Sequence, residues 1–165
     1  MLVLGIDPGM SRTGYGFVEG DGDFVRSLEF GTIATRSSQE FPLRLQKIYE
    51  GVRGLIEAHR PEWIALESPF LAKNVQSAMK LGQSKGAALL AAVHGGIPIA
   101  EYTPTQVKSA VTGYGAADKT QIQQMVKRVL RLKELPQPAD AADALAIALC
   151  HIYCHSKRVR LGLSS

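Results

Sequence analysis

Cysteine is almost absent from this chain: its 165 residues include only 2, Cys150 and Cys154. This scarcity excludes a domain built on a disulfide framework and indicates a reducing compartment. Long apolar runs are also missing, since no segment approaches the roughly 20 residues that span a bilayer. The N-terminal segment MLVLGID lacks the basic region of a signal peptide and leads directly into a predicted strand. We therefore expect a cytoplasmic protein.

The chain also has little excess charge, with 19 Lys and Arg against 15 Asp and Glu, for a net charge of +4. That balance permits a polyanionic partner without requiring one. A hydrophobic content of 45% in a chain of this length is typical of a single soluble domain with one core. The cations are unevenly distributed, although solvated helix faces would explain the same pattern. They crowd at Lys119, Lys127, Arg128, Arg131 and Lys133, and again at Lys157, Arg158 and Arg160.

Hydrophobic periodicity predicts an α/β domain, in which a mixed five-stranded sheet is flanked by helices. The first strand, LVLGID, is apolar enough to lie centrally. Asp21 and Gly22, between two further apolar segments, predict a type I′ hairpin. We expect one domain over residues 1–155, followed by a flexible basic tail over 156–165. The expected strands are 2–7, 14–20, 23–33, 61–68 and 97–102, and the expected helices are 39–59, 74–96, 104–112, 118–133 and 140–155.

The predicted helix 74–96 is rich in small residues. Gly82, Gly86 and Ala87 would let another helix approach closely. Its second half is apolar nearly all round, which is typical of a helix that is buried on more than one side. A subunit interface and a central core position explain this composition equally well.

Carboxylates stand at the ends of several apolar elements. Asp7 ends the first predicted strand, and Glu67 ends the fourth. Asp140 and Asp143, three residues apart in the first turn of the last helix, point the same way. Open α/β sheets build their sites at strand ends, so the four acids converge if these strands are neighbours and the helix crosses them. Taken singly, Asp7 also suits a turn and Asp140 a helix cap.

Four clustered carboxylates would need protons or a cation among them, because their negative charges repel one another. Oxygen ligands without His or Cys favour Mg²⁺ or Mn²⁺ over Zn²⁺. Acid clusters of this kind hold two ions ~4 Å apart in nucleases and polymerases. There, one ion activates water for attack on phosphorus and the other stabilises the departing 3′ oxygen. The sequence therefore predicts a metal site at Asp7, Glu67, Asp140 and Asp143.

A second group of metal-binding residue types occurs in the segment CHIYCH, residues 150–155. Its two Cys and two His lie on adjacent faces of the last helix, and zinc sites usually draw ligands from two segments. We therefore predict that these side chains pack in the core.

The segment LGIDPGMSRTGYG has the form D-x-G-x-x-x-T-G after a predicted strand. Actin-like ATPases and sugar kinases use a similar loop for phosphate and metal, but an actin-like ATPase needs two such domains. Combined with LESPFLAKNVQSAMKLGQ, EYTPTQVK and ADAADALAIALCH, the segment resembles the RuvC family of bacterial Holliday-junction resolvases. The resemblance runs from about residue 3 to 155, with the motifs in matching order and spacing.

The resemblance implies an RNase H-like fold of the retroviral integrase superfamily and a homodimer that binds four-way DNA junctions. It implies Mg²⁺-dependent nicking of two strands of like polarity, with Mn²⁺ as a substitute and two ions per subunit when DNA is bound. The family's four metal-binding acids fall on Asp7, Glu67, Asp140 and Asp143, although some relatives carry His in place of Asp140. The helix 74–96 would form the dimer interface. A branch-migration complex of RuvA and RuvB type proteins is an expected partner.

Further site residues are carried over from the same resemblance. Phe70 would stack on an unpaired base near the crossover, at about 1–3 kcal/mol per base, although a Phe packed inward is the usual alternative. Lys108 and Lys119 would lie near the scissile phosphate, where a cation offsets transition-state charge. Contacts to the DNA backbone are predicted for Arg12, Lys73, Lys80 and Lys85.

Two other functions compete with junction resolution. The first is another RNase H-like nuclease that acts on RNA or on an RNA–DNA hybrid. The second is a scaffold that binds junctions without cutting them. The scaffold is disfavoured, because four clustered negative charges oppose DNA binding unless they serve catalysis.

Overall fold

The structure is a computed structural model that describes residues 1–68 and 74–162. Its elements follow the predicted order, with each helix or strand close to its expected position. The strands are β1 (Leu2–Asp7), β2 (Arg12–Gly20), β3 (Val25–Ala34), β4 (Trp63–Glu67) and β5 (Ile99–Tyr102). The helices are α1 (Phe41–His59), α2 (Val75–His94), α3 (Pro104–Thr112), α4 (Lys119–Val129) and α5 (Ala139–Arg160).

The five strands form one mixed sheet in the order β3-β2-β1-β4-β5. β1 is antiparallel to β2 and parallel to β4, and β4 is parallel to β5. β1 is therefore central, as its apolar sequence predicts. The parallel register aligns Ile6 with Leu66, so β1 and β4 end side by side at the same edge of the sheet.

Helices cover both faces of the sheet, and the core is correspondingly divided in two. Leu4 and Ile6 of β1 pack with α1 and α2 on one face. Val3 packs with α3, α4 and α5 on the other face. Alternate side chains of a strand point to opposite faces, so a strand covered on both sides must be apolar throughout. This explains why LVLGID shows no alternation of polar and apolar residues.

Two glycines allow α5 to lie almost directly on the sheet. A Cβ on Gly5 would stand 2.0 Å from the carbonyl oxygen of Ala144, and one on Gly14 would stand 2.0 Å from that of Asp140. Any larger residue at either position would push the helix away. Because Gly14 is paired with Asp7 in the sheet, this close approach brings the start of α5 to the end of β1.

The β2–β3 hairpin is confirmed, but its turn is not the predicted type I′. That turn requires positive φ at both central residues. Here Gly22 has φ 99°, while Asp21 is not among the non-glycine residues with positive φ. Instead, the Asp21 side chain accepts hydrogen bonds from the backbone N–H groups of Asp23 and Phe24. The side chain therefore closes a longer loop.

The last helix extends beyond its predicted end and reduces the expected flexible tail. α5 continues to Arg160, so residues 156–160 are helical. Ser156 donates a hydrogen bond to the carbonyl of Asp21, and Arg160 forms an ion pair with Asp23. Contacts with the hairpin thus hold residues 156–160 in place, although their composition alone predicts a flexible tail.

Most of α2 is exposed in the single chain, so α2 is not a central core helix. Val75, Met79, Leu90 and Val93 are 50–75% exposed. The buried residues of α2 are Ser84, Lys85, Ala88, Ala91 and Ala92. In the described ranges 1–68 and 74–162, no helix has the length and apolar character needed to cross a membrane.

Candidate active site

The ends of β1 and β4 and the start of α5 meet at one edge of the sheet. β1 and β4 are adjacent and parallel, so Asp7 and Glu67 are neighbours. The close approach at Gly14 adds the first turn of α5, which carries Asp140 and Asp143. The sequence prediction of convergence rested on this arrangement of strands and helix, and the structure has it.

Electrostatics at Asp7 reflect the crowding of negative charge. Its pKa is raised from 3.8 to about 7, chiefly because burial disfavours the charged form. Repulsion from Asp143, Glu67 and Asp140 raises the pKa further, and Lys119 partly opposes them. Each of the other three acids therefore lies close enough to act on Asp7.

Glu67 experiences the same environment with more cationic compensation. Burial raises its pKa first, and Asp143 adds to the increase. Lys108, Lys119 and Lys85 lower it. Glu67 thus lies within electrostatic range of a carboxylate and several ammonium groups.

Lys119 contacts the acid cluster directly. Its Nζ donates to Asp143 Oδ2 at 2.7 Å, and this hydrogen bond raises the pKa of Lys119. Lys119 is the first residue of α4, whose N-terminus is fixed by a capping box between Asp118 and Gln121. The helix start therefore aims a permanent positive charge at the acids.

A cavity of about 260 Å³ opens beside these groups. Glu67, Lys108, Lys119 and Asp143 supply its charged lining, and Val107, Ile122 and Ile147 are among its apolar walls. The structure therefore brings the two carried-over lysines to the same opening as two of the four acids.

The donor set of this edge suits a hard divalent cation. Its four possible ligands are carboxylates, and the raised pKa of Asp7 marks negative charge that a cation would offset. In the side-chain arrangement described for residues 1–68 and 74–162, no three His, Cys, Asp or Glu side chains are grouped around one ion position. One of the four, Asp143, is instead paired with Lys119.

The predicted DNA contacts have different outcomes. Arg12 and Lys80 are exposed. Phe70 and Lys73 lie outside the described residues. The prediction for Lys85 is not supported: it is 8% exposed, and its Nζ is bound to Glu101 Oε2 at 2.5 Å. Lys85 instead supplies buried positive charge near Glu67.

Two residues missed by sequence reasoning fix this edge of the sheet. Glu101, on edge strand β5, holds Lys85 in place. Arg44, on α1, donates to the carbonyl oxygen of Met10 at 3.0 Å and so anchors the loop that follows Asp7. Both contacts join segments that are distant in sequence; Arg44 lies outside the quoted motifs, and Glu101, although it opens EYTPTQVK, shows no partner in the sequence.

The first half of the CHIYCH segment packs in the core, as predicted, whereas Cys154 and His155 are only half-buried. Cys150 and His151 are buried, and the His151 Nδ1 lies 2.9 Å from the Tyr102 hydroxyl. The ring centroids of His151 and Trp63 are 4.8 Å apart. Burial lowers the pKa of His151 to about 4, so this ring is neutral at physiological pH.

We expect Asp7 to make the metal-free protein less stable as pH rises. The folded state binds a proton that the unfolded chain has already released, because folding raises the Asp7 pKa from 3.8 to about 7. The stability contributed by the protonated carboxyl is complete below about pH 4 and is lost as pH rises through about 7. Asp7→Asn removes this titration.

Urea unfolding in EDTA would measure the effect. The free energy of unfolding of Asp7→Asn minus that of the natural protein should increase between about pH 4 and 7 and then level off. The expected increase is on the order of a few kcal/mol. A constant difference across this range would show that Asp7 titrates normally.

Comparisons with known proteins match the whole domain. A family model described as "Crossover junction endodeoxyribonuclease RuvC" matches residues 3–151. A protein of that name from Geobacter sulfurreducens is 56% identical over 151 residues, which cover 92% of each chain.

Solved structures match over similar lengths. Thermus thermophilus RuvC in complex with a Holliday junction substrate is 38% identical with a TM-score of 0.91, over 99% of this chain and 97% of that chain. The yeast mitochondrial Holliday junction resolvase Ydc2 is 14% identical with a TM-score of 0.65, over 98% and 84% of the respective chains. At that identity the likeness concerns the fold alone. The predicted RNase H-like fold is confirmed.

Proposed function

Because the chain belongs to the RuvC family of crossover junction endodeoxyribonucleases, we propose that it resolves Holliday junctions. It nicks two DNA strands of like polarity at symmetric positions, in homologous recombination and repair in the cytoplasm. The observation that carries the proposal is the meeting of Asp7, Glu67, Asp140 and Asp143 at one sheet edge, in a chain that matches the family over its whole domain.

Mg²⁺ is the proposed cofactor, with Mn²⁺ as a substitute and two ions per subunit when DNA is bound. The four carboxylates would hold it. When bound, the metal supplies Lewis-acid stabilisation of the phosphate and activation of water.

The chain's own residues position the substrate and balance its charge. Lys108 and Lys119, at the cavity beside Glu67, attract the scissile phosphate and offset the charge that develops during hydrolysis. The hydrogen bond to Asp143 keeps Lys119 protonated at physiological pH. Glu101 holds Lys85 within electrostatic range of Glu67, which limits the repulsion between the acids and the DNA.

Lys119→Ala is expected to slow junction cleavage by about 10²–10³-fold, the usual effect of removing one group that stabilises transition-state charge. Single-turnover nicking of a four-way junction measures the rate. Lys119→Arg should recover part of it, because the charge remains. Lys47→Ala, on an exposed part of α1 across the sheet, is the control. If the cleavage rates of all variants lay within about threefold of each other, Lys119 would have no role in cleavage.

We further propose a homodimer in which the exposed face of α2 is covered by a second copy. Val75, Met79, Leu90 and Val93 supply apolar surface there. A Cβ placed on Gly82 or Gly86 of α2 would meet no heavy atom within 4 Å apart from its chain neighbours and the nearby backbone of the same helix, so that face is open among the described residues. Phe70 is proposed to stack on a base, and Arg12, Lys73 and Lys80 to contact the backbone. RuvA and RuvB type proteins remain proposed partners.

A comparison of substrates tests the proposed function. The protein is incubated with a synthetic four-way junction, a linear duplex of the same sequence and an RNA–DNA hybrid, with and without Mg²⁺. Nicking of the junction alone supports resolution. Preferential cutting of the hybrid would establish the alternative, an RNase H-like nuclease that acts on RNA.

A further inference from the structure

A second concentration of positive charge lies outside the acid cluster. A cavity of about 790 Å³ is formed by the outer face of α4 and the loop that precedes it. Three of its lining residues, Lys127, Arg128 and Arg131, are cations. Tyr114, from the loop, and Gln124, from the helix, add hydrogen-bonding groups. The mechanism above uses none of them.

The charge of this cavity is uncompensated. No acidic residue lines it. In the part of the chain that the structure describes, Lys127, Arg128 and Arg131 take part in no ion pair. Tyr114 is 63% exposed, so its hydroxyl is free to meet a ligand. Bare cations around an open concavity fit a polyanion.

The helix that lines this cavity also supplies a residue to the acid cluster. α4 begins at Lys119, which is bonded to Asp143, and the same helix ends at the cations. Gln124, Lys127 and Arg128 recur at helical spacing opposite the buried Ile122 and Val126. Nine residues at 3.6 per turn place Arg128 about half a turn around α4 from Lys119, so these polar groups form a separate surface on the outer side of the helix.

The separation of these two groups along the axis of α4 corresponds to a short length of duplex. Arg128 follows Lys119 by nine residues, so the two are about 13 Å apart along the helix at about 1.5 Å per residue. Phosphates of one strand of B-DNA are about 3.4 Å apart along the axis, so this distance equals about four base pairs.

Favourable interaction with the helix dipole explains only part of this pattern. Cations near a helix C-terminus gain about 0.3–1 kcal/mol each, which accounts for Lys127 and Arg128 in the last turn. It does not account for Arg131, which lies beyond the helix end and still lines the cavity. Nor does it explain an exposed tyrosine on the facing loop.

We propose that this surface, Tyr114 with Lys127, Arg128 and Arg131, binds the phosphate backbone of the duplex arm that leaves the active site, about four or more base pairs from the cut. The inference rests on the proposed function, because it places the scissile phosphate at the acids. The surface fixes the direction of the arm and adds no sequence preference, since phosphate contacts carry none.

The test combines a charge-removing variant with a modified junction. Lys127→Gln/Arg128→Gln is compared with Lys47→Gln/Arg60→Gln, which removes the same two charge types from α1 and its C-cap, across the sheet. Each is measured against an ordinary junction and against one with neutral methylphosphonates four to seven nucleotides from the cut. Affinity is determined in EDTA at several salt concentrations, so that the strands stay intact.

We expect the α4 variant to bind the ordinary junction about tenfold more weakly at low salt. Its plot of log affinity against log salt should be less steep by about 1.8, for two lost phosphate contacts. Methylphosphonates should weaken junction binding by the natural protein and by the α1 control, and by a similar factor. They should have little further effect on the α4 variant.

Two outcomes would overturn the inference. Unchanged affinity of the α4 variant would show that the surface is not a DNA contact, as would be the case if it binds an acidic protein segment instead. If methylphosphonates weakened binding by the same factor for every protein, including the α4 variant, those phosphates would not contact the α4 surface. Nicking of the ordinary junction in Mg²⁺ separates failure of the α4 contact from failure of the proposed function. If the natural protein does not nick the junction, the proposed function is contradicted, whatever the measured affinities.

Discussion

Asp7→Asn is expected to lower junction cleavage by about a thousandfold or more while leaving junction binding intact or tighter. Asp7 lies at the centre of the acid cluster, since the three other acids all act on its pKa. Replacing it removes one charged ligand from the proposed metal site, at a cost of several kcal/mol of transition-state stabilisation. It also removes a negative charge that opposes DNA.

Single-turnover cleavage and equilibrium binding of the same four-way junction separate these effects. Asp23→Asn is the matched control, because it makes the same chemical change on the exposed β2–β3 hairpin, which lies at the opposite end of β2. That control should cleave normally. Normal cleavage by Asp7→Asn would refute the metal site, and loss of binding would indicate a folding defect instead.

Removal of divalent cations is expected to abolish cleavage completely. Without a cation, the phosphate faces four carboxylates whose charge the nearby lysines offset only in part, and the Asp7 pKa of about 7 leaves that group partly protonated near neutral pH. Metal binding must displace this proton, so the apparent affinity for Mg²⁺ should rise between about pH 6 and 8. Metal titrations of nicking at several pH values measure both effects.

Restoration by added metal completes that experiment. Mg²⁺ and Mn²⁺ should each restore nicking after chelation, as expected for an all-carboxylate ligand set. Junction binding should persist in EDTA, which separates loss of chemistry from loss of substrate. Full cleavage in excess EDTA would contradict the mechanism.

The fold could be predicted because its strongest signals are local. The apolar run of β1, the capping box of α4 and the prolines before α5 each determine an element from its own residues. The turn type and the end of α5 were missed for the opposite reason. Asp21 closes the hairpin loop with its side chain, and Arg160 is held by an ion pair across the domain.

The acid cluster could be predicted because all four carboxylates stand at element ends. The sequence analysis did not identify the residues that let the four acids meet. These are Gly5 and Gly14, which leave room for α5 on the sheet. The burial of Lys85 could not be inferred, because the sequence does not distinguish a surface lysine from a buried one. Only the fold brings Glu101 beside it. The cavity along α4 depends on the folded arrangement of the loop at Tyr114.

The most direct test of junction resolution is to map the cuts on all four strands of a junction, each labelled in turn, in Mg²⁺. We expect nicks on two strands of like polarity at symmetric positions, and products that DNA ligase can seal. Cuts on one strand only, on all four strands, or equally on duplex arms far from the crossover would contradict the account.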